Sequence, residues 1–278
     1  MTMATPAPNP KPAHALGWEV FGYSQIGSAH VRRGAINQDH VDWRCDSDGL
    51  GFVAAVADGH GAAPYFRSDI GAKLAVQSAL DCLKFPNPQQ PSAATIGTWI
   101  HNRWSELVHA HLSQQRFSAP HDGDDLLPYG STLIAASASS RWLITAQIGD
   151  GDTYLGYSGQ ALVRVDASQD AFEGEQTLSL CMPDAASYFT IQIVDLDWVE
   201  SPPDFLVLCT DGVAKSFATA GACERAMSQF RELCTSKAGQ FSTVASQLPA
   251  WLSEVSQRGS GDDASMVMAV RKTLADVW

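Results

Sequence analysis

The spacing of apolar residues divides this chain into strands and helices that are separated by polar turns. Short apolar or alternating runs predict strands, and apolar residues that recur about every three or four positions predict amphipathic helices. The predicted strands cover residues 18–26, 41–44, 52–57, 131–138, 142–148, 153–157, 161–165, 188–196, 205–210 and 265–270. The predicted helices cover residues 62–84, 92–116, 220–235 and 240–257. Residues 27–38 and 122–125 have the polar composition of loops, whereas residues 166–187 fit no regular element.

The order of these elements predicts an α+β fold. Strands, two long helices, many strands, two further helices and a last strand follow one another in separate groups, without the regular alternation of a parallel sheet. Each pair of helices can cover the outer face of one sheet. We therefore expect two stacked antiparallel β-sheets flanked by helix pairs, an α-β-β-α sandwich, as a single domain over residues 17–278.

Composition and charge narrow the class of protein. The chain has 278 residues, of which 45% are hydrophobic and 17% are charged, as in an ordinary globular protein. A net charge of −12 disfavours nucleic-acid binding, because that function needs a basic surface. No apolar run approaches the roughly 20 residues that span a bilayer. We expect a cytoplasmic protein that binds no membrane, with the Pro- and Ala-rich residues 1–16 as a disordered tail.

The six cysteines indicate neither a zinc site nor a catalytic thiol. None forms a Cys-x-x-Cys pair, and none is followed by arginine six positions later, so the phosphate loop of cysteine-based tyrosine phosphatases is missing. Cys209 lies within an apolar run and is expected in the core. Reduced thiols in a reducing compartment are the simplest interpretation.

Four short segments place aspartate at the end of an apolar run or in a turn. They are Asn37–Asp39, Asp58–Gly61, Thr210–Gly212 and Gly261–Asp263. Carboxylates that meet at one end of a sheet form an oxygen-rich pocket, which suits Mg²⁺ or Mn²⁺ better than zinc. Two such ions can activate a water that attacks phosphorus, so that no protein nucleophile is needed. One Asp-Gly alone indicates only a turn, and the prediction depends on the set.

The ordered motifs resemble the metal-dependent serine/threonine protein phosphatases of type 2C, the PPM family, in a bacterial form. The motifs occur in family order and span residues 27–271. They are Asn37-Gln38-Asp39, Val56-Ala57-Asp58-Gly59-His60-Gly61, Gly130-Ser131-Thr132, Ile148-Gly149-Asp150, Cys209-Thr210-Asp211-Gly212-Val213 and Gly261-Asp262-Asp263-Ala264. The resemblance implies a β-sandwich flanked by helix pairs. It also implies hydrolysis of phosphoserine or phosphothreonine by a hydroxide that bridges two Mg²⁺ or Mn²⁺ ions at one end of the sandwich.

The resemblance assigns metal-binding roles to matching residues. Asp58 would bridge the two ions, and Gly59 would add its backbone carbonyl. Asp211 and Asp262 would complete the shell of the first ion. Asp39 would hold the second ion, directly or through water.

Other roles implied by the resemblance concern a further ion, the proton and the substrate. Asp150, together with Asp211, would take a third and weaker ion. His60 matches the proposed general acid for the leaving alkoxide, a role that an imidazole can fill. Either Arg32 or Arg33 would grip the substrate phosphate through its planar guanidinium. The expected partner is a phosphorylated protein, such as a Ser/Thr kinase or its target.

The chain also departs from the family pattern. Gln38 stands where many members have Glu, which predicts a weaker second metal site. Gly151 and Asp152 replace the usual Ser and Arg, and the family's Asp-His-Ser stretch is not visible in residues 166–187. Two alternatives therefore stay open: a catalytically weak or inactive interaction module with the same fold, and a metal-dependent phosphoesterase that acts on small molecules.

Overall fold

The computed structural model describes residues 15–84, 91–114, 125–165, 177–235 and 240–273. Within these ranges the chain forms two five-stranded antiparallel sheets. The first sheet has the order β1 (Ala15–Gln25), β10 (Ala264–Thr273), β9 (Pro203–Cys209), β6 (Asp152–Tyr157) and β7 (Val163–Val165). The second has the order β2 (Asp39–Cys45), β3 (Phe52–Asp58), β4 (Leu133–Ala138), β5 (Trp142–Ile148) and β8 (Thr190–Asp195).

The helices of the described part lie mainly on the outer faces of the sheets. They are α1 (Ser28–Arg33), α2 (Ser68–Cys82), α3 (Ala93–Gln114), α4 (Asp211–Ala214), α5 (Ala220–Thr235) and α6 (Gln240–Arg258). Helices α2 and α3 cover the second sheet, and α5 and α6 cover the first. The α+β sandwich predicted from the sequence is thereby confirmed. None of the described helices has the length and apolarity needed to cross a bilayer.

Three apolar layers hold the sandwich together. Between the sheets, Val56 and Ile134 of the second sheet pack with Leu208 and Val267 of the first. The layer under α2 and α3 contains Trp104, which is fully buried. Burial of these side chains is the main favourable contribution to folding, and truncating a buried Trp typically costs about 3–5 kcal/mol.

The strand register gathers the carboxylate-bearing turns at one end of the sandwich. Asp39 at the start of β2 is the register partner of Asp58 at the end of β3. Cys209 at the end of β9 pairs with Met266 near the start of β10. Because neighbouring strands are antiparallel, the end of one lies beside the start of the next.

A glycine-flanked turn carries the chain from the second sheet to the first at this same end. Gly149 and Gly151 flank Asp150, with φ of 89° and 115°, a region that side chains rarely adopt. A Cβ on Gly149 would lie 2.5 Å from Cγ2 of Thr132, so the turn also needs the missing side chain. The strands predicted at 142–148 and 153–157 belong to different sheets, which this turn connects.

Local details differ from the sequence predictions. The predicted loop at 27–38 contains helix α1, which ends at Gly34 with φ of 66°. The predicted helix at 62–84 is a 3-10 turn at Ala63–Tyr65 followed by α2 from Ser68, because Pro64 interrupts the pattern. Helix α4 was not predicted, since its four residues are too short to show a period.

Several predictions fall wholly or partly outside the described residues. These are the tail at 1–16, of which residues 15 and 16 begin β1, most of the loop at 122–125, and residues 166–176. Cys209 is fully buried, as expected.

Candidate functional site

A pocket of about 460 Å³ opens at the end of the sandwich where the carboxylate-bearing turns meet. The predicted site residues that line it are Asp58, Gly59, His60, Asp150, Asp211, Asp262 and Arg33. Further lining residues include His30, Gln38, Tyr65, Thr177 and Lys215. The structure thus brings most of the predicted residues together, and their roles stay predictions.

Asp58 is held by the strand beside it. Its backbone N–H donates to Thr132 Oγ1 at 3.0 Å, and the Thr132 N–H donates to the Asp58 carbonyl at 2.8 Å. Burial, followed by the charges of Asp39 and Asp211, raises the pKa of Asp58 well above its usual value. The ionised carboxylate is therefore disfavoured unless a cation compensates it.

Asp39 lies behind the pocket, between the two sheets. Its side-chain Oδ2 accepts a hydrogen bond from Thr210 Oγ1 at 2.7 Å. Oδ1 is buried and has no hydrogen-bond partner within the described part of the chain. Burial raises the pKa of Asp39 to about 8, and the charges of Asp263 and Asp211 act in the same direction. A buried acceptor without a donor is costly, and a cation could satisfy it.

Asp150 and Asp211 approach each other from different elements. Asp150 belongs to the glycine-flanked turn, and Asp211 is the first residue of α4. Burial, then the charge of Asp211 and a hydrogen bond with it, raises the pKa of Asp150 to about 6. Thr177 Oγ1 lies 3.5 Å from Asp150 Oδ2 and comes from the stretch that fitted no element in the sequence.

Lys215 brings a positive charge to this pair. Its Nζ contacts Asp211 Oδ2 and lies 3.7 Å from Asp150 Oδ2. Burial lowers the pKa of Lys215, but the hydrogen bond and charge of Asp211 outweigh this effect and raise it. Sequence reasoning missed Lys215. Its spacing of four residues from Asp211 places the two side chains on one helical face, but α4 is too short for the sequence to predict that helix.

Asp263 connects its own turn to the segments that contain Gly27 and Gln38, beside the site. Its Oδ1 accepts the Gly27 N–H at 2.6 Å, and its Oδ2 accepts the Gln38 N–H at 2.7 Å. His30 Nδ1 lies 2.9 Å from Asp263 Oδ1, although not in hydrogen-bond geometry. Asp262, the neighbouring predicted ligand, is more exposed, and His30 Nε2 lies 3.8 Å from its Oδ1. Asp263 is therefore a structural residue, whereas Asp262 faces the pocket.

His60 occupies the rim formed by the turn after β3. Its backbone N–H donates to the Gly130 carbonyl at 3.1 Å, and its ring meets the Tyr65 ring edge-on at 4.8 Å. Gln38 Nε2 donates to the His60 carbonyl at 3.2 Å and to Ser68 Oγ at 2.7 Å. Burial lowers the pKa of His60, and the charge of Asp211 partly opposes this shift.

The two candidate phosphate-binding arginines differ in position. Arg33 lines the pocket, and its Nε donates to the Ala29 carbonyl at 3.2 Å. Arg32 is not part of the lining, and its Nη1 lies 3.4 Å from Ser28 Oγ. The geometry therefore favours Arg33.

One departure from the family pattern, Asp152, has a structural explanation. Asp152 is buried and points away from the pocket, where its Oδ1 accepts from Arg164 Nε at 2.7 Å. Tyr154 Oη donates to Asp152 Oδ2 at 2.9 Å, so the buried carboxylate is fully compensated.

Ser179 stabilises the segment before β4, since its Oγ accepts the Ser131 N–H at 3.1 Å.

The donor set fits a hard cation, although the described residues form no preformed metal geometry. In the described ranges, no three acidic, histidine or cysteine side chains already converge as metal ligands. The buried, unpartnered Oδ1 of Asp39 and the raised pKa of Asp58 nevertheless indicate carboxyl groups that the described part of the protein does not stabilise in their ionised form. Carboxylate oxygens are the ligands that Mg²⁺ and Mn²⁺ prefer.

Fold and site together define an α-β-β-α sandwich with an acidic pocket at one end. The family model described as Protein phosphatase 2C matches residues 26–253 of this chain. The chain therefore belongs to the protein phosphatase 2C family, and this membership supports serine/threonine phosphatase function. Among curated proteins, no sequence match reaches significance.

Solved structures with the same architecture include several bacterial phosphatases. Stp1 from Staphylococcus aureus, a serine/threonine phosphatase, is 16% identical with a TM-score of 0.58, covering 93% of this chain and 97% of its own. PppA of Pseudomonas aeruginosa, a regulatory component of T6SS, is 17% identical with a TM-score of 0.57 over 93% and 100% of the two chains. The catalytic domain of PstP, in complex with two manganese ions, is 17% identical with a TM-score of 0.56 over 91% and 98%. At these identities the likeness shows the shared fold.

Proposed function

We propose that this protein hydrolyses phosphoserine and phosphothreonine in proteins with the help of two divalent metal ions. The observation that carries the proposal is the meeting of Asp58, Asp211 and Asp262 around one pocket, in a chain of the protein phosphatase 2C family. These residues come from three separate strand ends, and a merely structural role would not require three carboxylates to share a pocket.

The acidic residues would hold Mg²⁺ or Mn²⁺. Asp58 with the Gly59 carbonyl, Asp211, Asp262 and Asp39 are the proposed ligands, and a PstP structure with two manganese ions supports this choice. When bound, the ions would supply the hydroxide that attacks phosphorus. The bound ions would also stabilise the pocket, because they would offset the repulsion between its carboxylates.

Residues of the chain itself would bind the substrate phosphate and donate the proton to the leaving group. The guanidinium of Arg33 would bind the phosphate oxygens in the pocket through paired N–H donors. As the bond between phosphorus and the side-chain oxygen breaks, His60 would give its proton to the leaving alkoxide. The products are inorganic phosphate and the free hydroxyl of serine or threonine. Burial makes the imidazolium a stronger acid, because it lowers the pKa of His60.

A phosphorylated protein, such as a Ser/Thr kinase or its target, is the proposed partner. The open pocket fits a side chain presented by a protein surface, since the exposed Arg33 and the half-buried Asp262 both line it. The cytoplasmic location stays a prediction.

The test is turnover of a phosphothreonine peptide and of an aryl phosphate, with and without Mn²⁺. We expect Mn²⁺-dependent release of phosphate from the peptide, and its loss in Asp58→Asn. The matched control is Asp42→Asn, an exposed position on the neighbouring strand. Activity on the aryl ester alone would favour a small-molecule phosphoesterase. A folded protein without activity on either substrate would favour the interaction module.

A further inference from the structure

Lys215 lies between two acidic residues of the pocket, and the proposed reaction assigns no role to it. Its ammonium contacts Asp211 Oδ2 and lies 3.7 Å from Asp150 Oδ2. The two carboxylates come from different parts of the fold, the turn between the sheets and the start of α4. The lysine therefore acts as a cation that joins the two segments.

The backbone fixes the position of Lys215 relative to Asp211. Lys215 is the residue that ends α4, and its N–H donates to the Asp211 carbonyl at 2.7 Å. One helical turn thus separates the two residues, so both side chains project from the same face. Although 58% of the Lys215 side chain is exposed, its ammonium contacts Asp211 in the pocket.

We propose that the Lys215 ammonium is a resident cation of this site, which takes the place of a third divalent ion between Asp150 and Asp211. The inference rests on the proposed function, because it concerns the same acidic pocket. A divalent ion bound to these two carboxylates would have to displace the ammonium or lie beside it against strong repulsion. The site would therefore bind two divalent ions and no more.

The charge balance of the pocket agrees with this assignment. In the described part of the chain, five carboxylates belong to the predicted ligand set, namely Asp39, Asp58, Asp150, Asp211 and Asp262. When ionised, their five negative charges are balanced by two divalent ions and one ammonium, which leaves the charge of Arg33 for the substrate phosphate. Asp263 stays outside this count, because the backbone N–H groups of Gly27 and Gln38 already compensate its oxygens.

The experiment counts bound Mn²⁺ by calorimetric titration into the millimolar range, with circular dichroism as the check on folding. The variants are Lys215→Asp, Lys215→Ala and the charge-matched control Lys73→Asp. Lys73 is exposed on α2 and does not line the pocket. We expect two Mn²⁺ per chain for the wild type and for Lys73→Asp, and a third, weaker Mn²⁺ for Lys215→Asp. Lys215→Ala should show the same third event with lower affinity.

Two outcomes would overturn the inference alone: a third Mn²⁺ in the wild type, or folded Lys215→Asp and Lys215→Ala proteins that bind only two. In either case the wild type would still hydrolyse the phosphothreonine peptide with Mn²⁺. A folded wild type that binds no Mn²⁺ and releases no phosphate would instead reject the proposed function, and the inference with it.

Discussion

Asp39 and Asp58 face each other as register partners on adjacent antiparallel strands, at the end of the sandwich where the pocket opens. Burial raises the pKa of Asp58 well above its usual value, and the charge of Asp39 adds to this shift. A buried and a half-buried carboxylate side by side are expected to destabilise the metal-free fold. We therefore expect the stability of the protein to depend on pH and on metal.

The metal-free protein should become less stable as pH rises from about 4 to about 8. Folded Asp39 keeps its proton up to a pKa of about 8, whereas an unfolded aspartate ionises near 3.8. Between these values the folded state binds the extra proton, so one such group lowers the free energy of unfolding by about 1.4 kcal/mol per pH unit. Chemical denaturation at several pH values would measure this slope.

The control for this prediction is Asp39→Asn, which cannot ionise. Its slope should be shallower, although not zero, because the pKa of Asp58 is also raised. Saturating Mn²⁺ should flatten the wild-type profile, since a bound cation favours the ionised carboxylates. Equal slopes in the variant and the wild type would show that Asp39 does not carry the effect.

Gln38→Glu should lower the stability of the metal-free protein and raise its affinity for Mn²⁺. The Gln38 amide donates to the His60 carbonyl and to Ser68 Oγ, and a carboxylate would lose both donors and face the carbonyl oxygen. We expect the metal-free variant to lose about 1–3 kcal/mol of stability. Because the new carboxylate lies in the pocket lining, Mn²⁺ should bind more tightly.

Gln38→Met separates the two effects. It removes the same donors without adding charge, so it should lose stability and gain no Mn²⁺ affinity. Thermal denaturation without metal and Mn²⁺ titration of both variants provide the comparison. An unchanged melting temperature for Gln38→Met would mean that the two hydrogen bonds contribute nothing to the fold.

His60→Gln should slow the hydrolysis of a phosphothreonine peptide far more than that of an aryl phosphate. The alkoxide of threonine is a poor leaving group that needs a proton, whereas a phenolate leaves without one. Loss of a general acid typically costs roughly 100- to 10,000-fold in rate. Measured kcat values for the two substrates provide the test, and an equal loss on both would point to a structural role for His60 against Tyr65.

Arg33→Ala should weaken substrate binding, whereas Arg32→Ala should not. Only Arg33 lines the pocket, and both arginines are exposed on the same short helix, so the second variant is a matched control. A charge-assisted hydrogen bond is worth about 1.5–3 kcal/mol, which corresponds to a rise in KM of about tenfold or more. Steady-state kinetics would decide, and the reverse order of effects would assign phosphate binding to Arg32.

Much of the architecture was predictable because it depends on local periodicity. The helical spacing that predicted residues 92–116 corresponds to α3, whose residues Ile96, Ile100 and Trp104 are buried as one apolar stripe. The apolar run at 52–57 corresponds to β3, which is buried over almost its whole length. The ordered aspartate motifs also pointed to the family, which the matching family model confirms.

The sequence by itself determined the elements, the family and the identity of the acidic residues, since these depend on residue type and spacing along the chain. Tertiary structure alone decided which other groups meet these acidic residues. The Gly27 N–H that Asp263 accepts lies 236 positions away, and no local pattern encodes such a contact. Lys215 joined the pocket for the same reason: its ammonium reaches Asp150 only because the turn between the sheets and α4 are folded against each other. Such meetings depend on strand register and sheet stacking, which arise from packing across the whole chain.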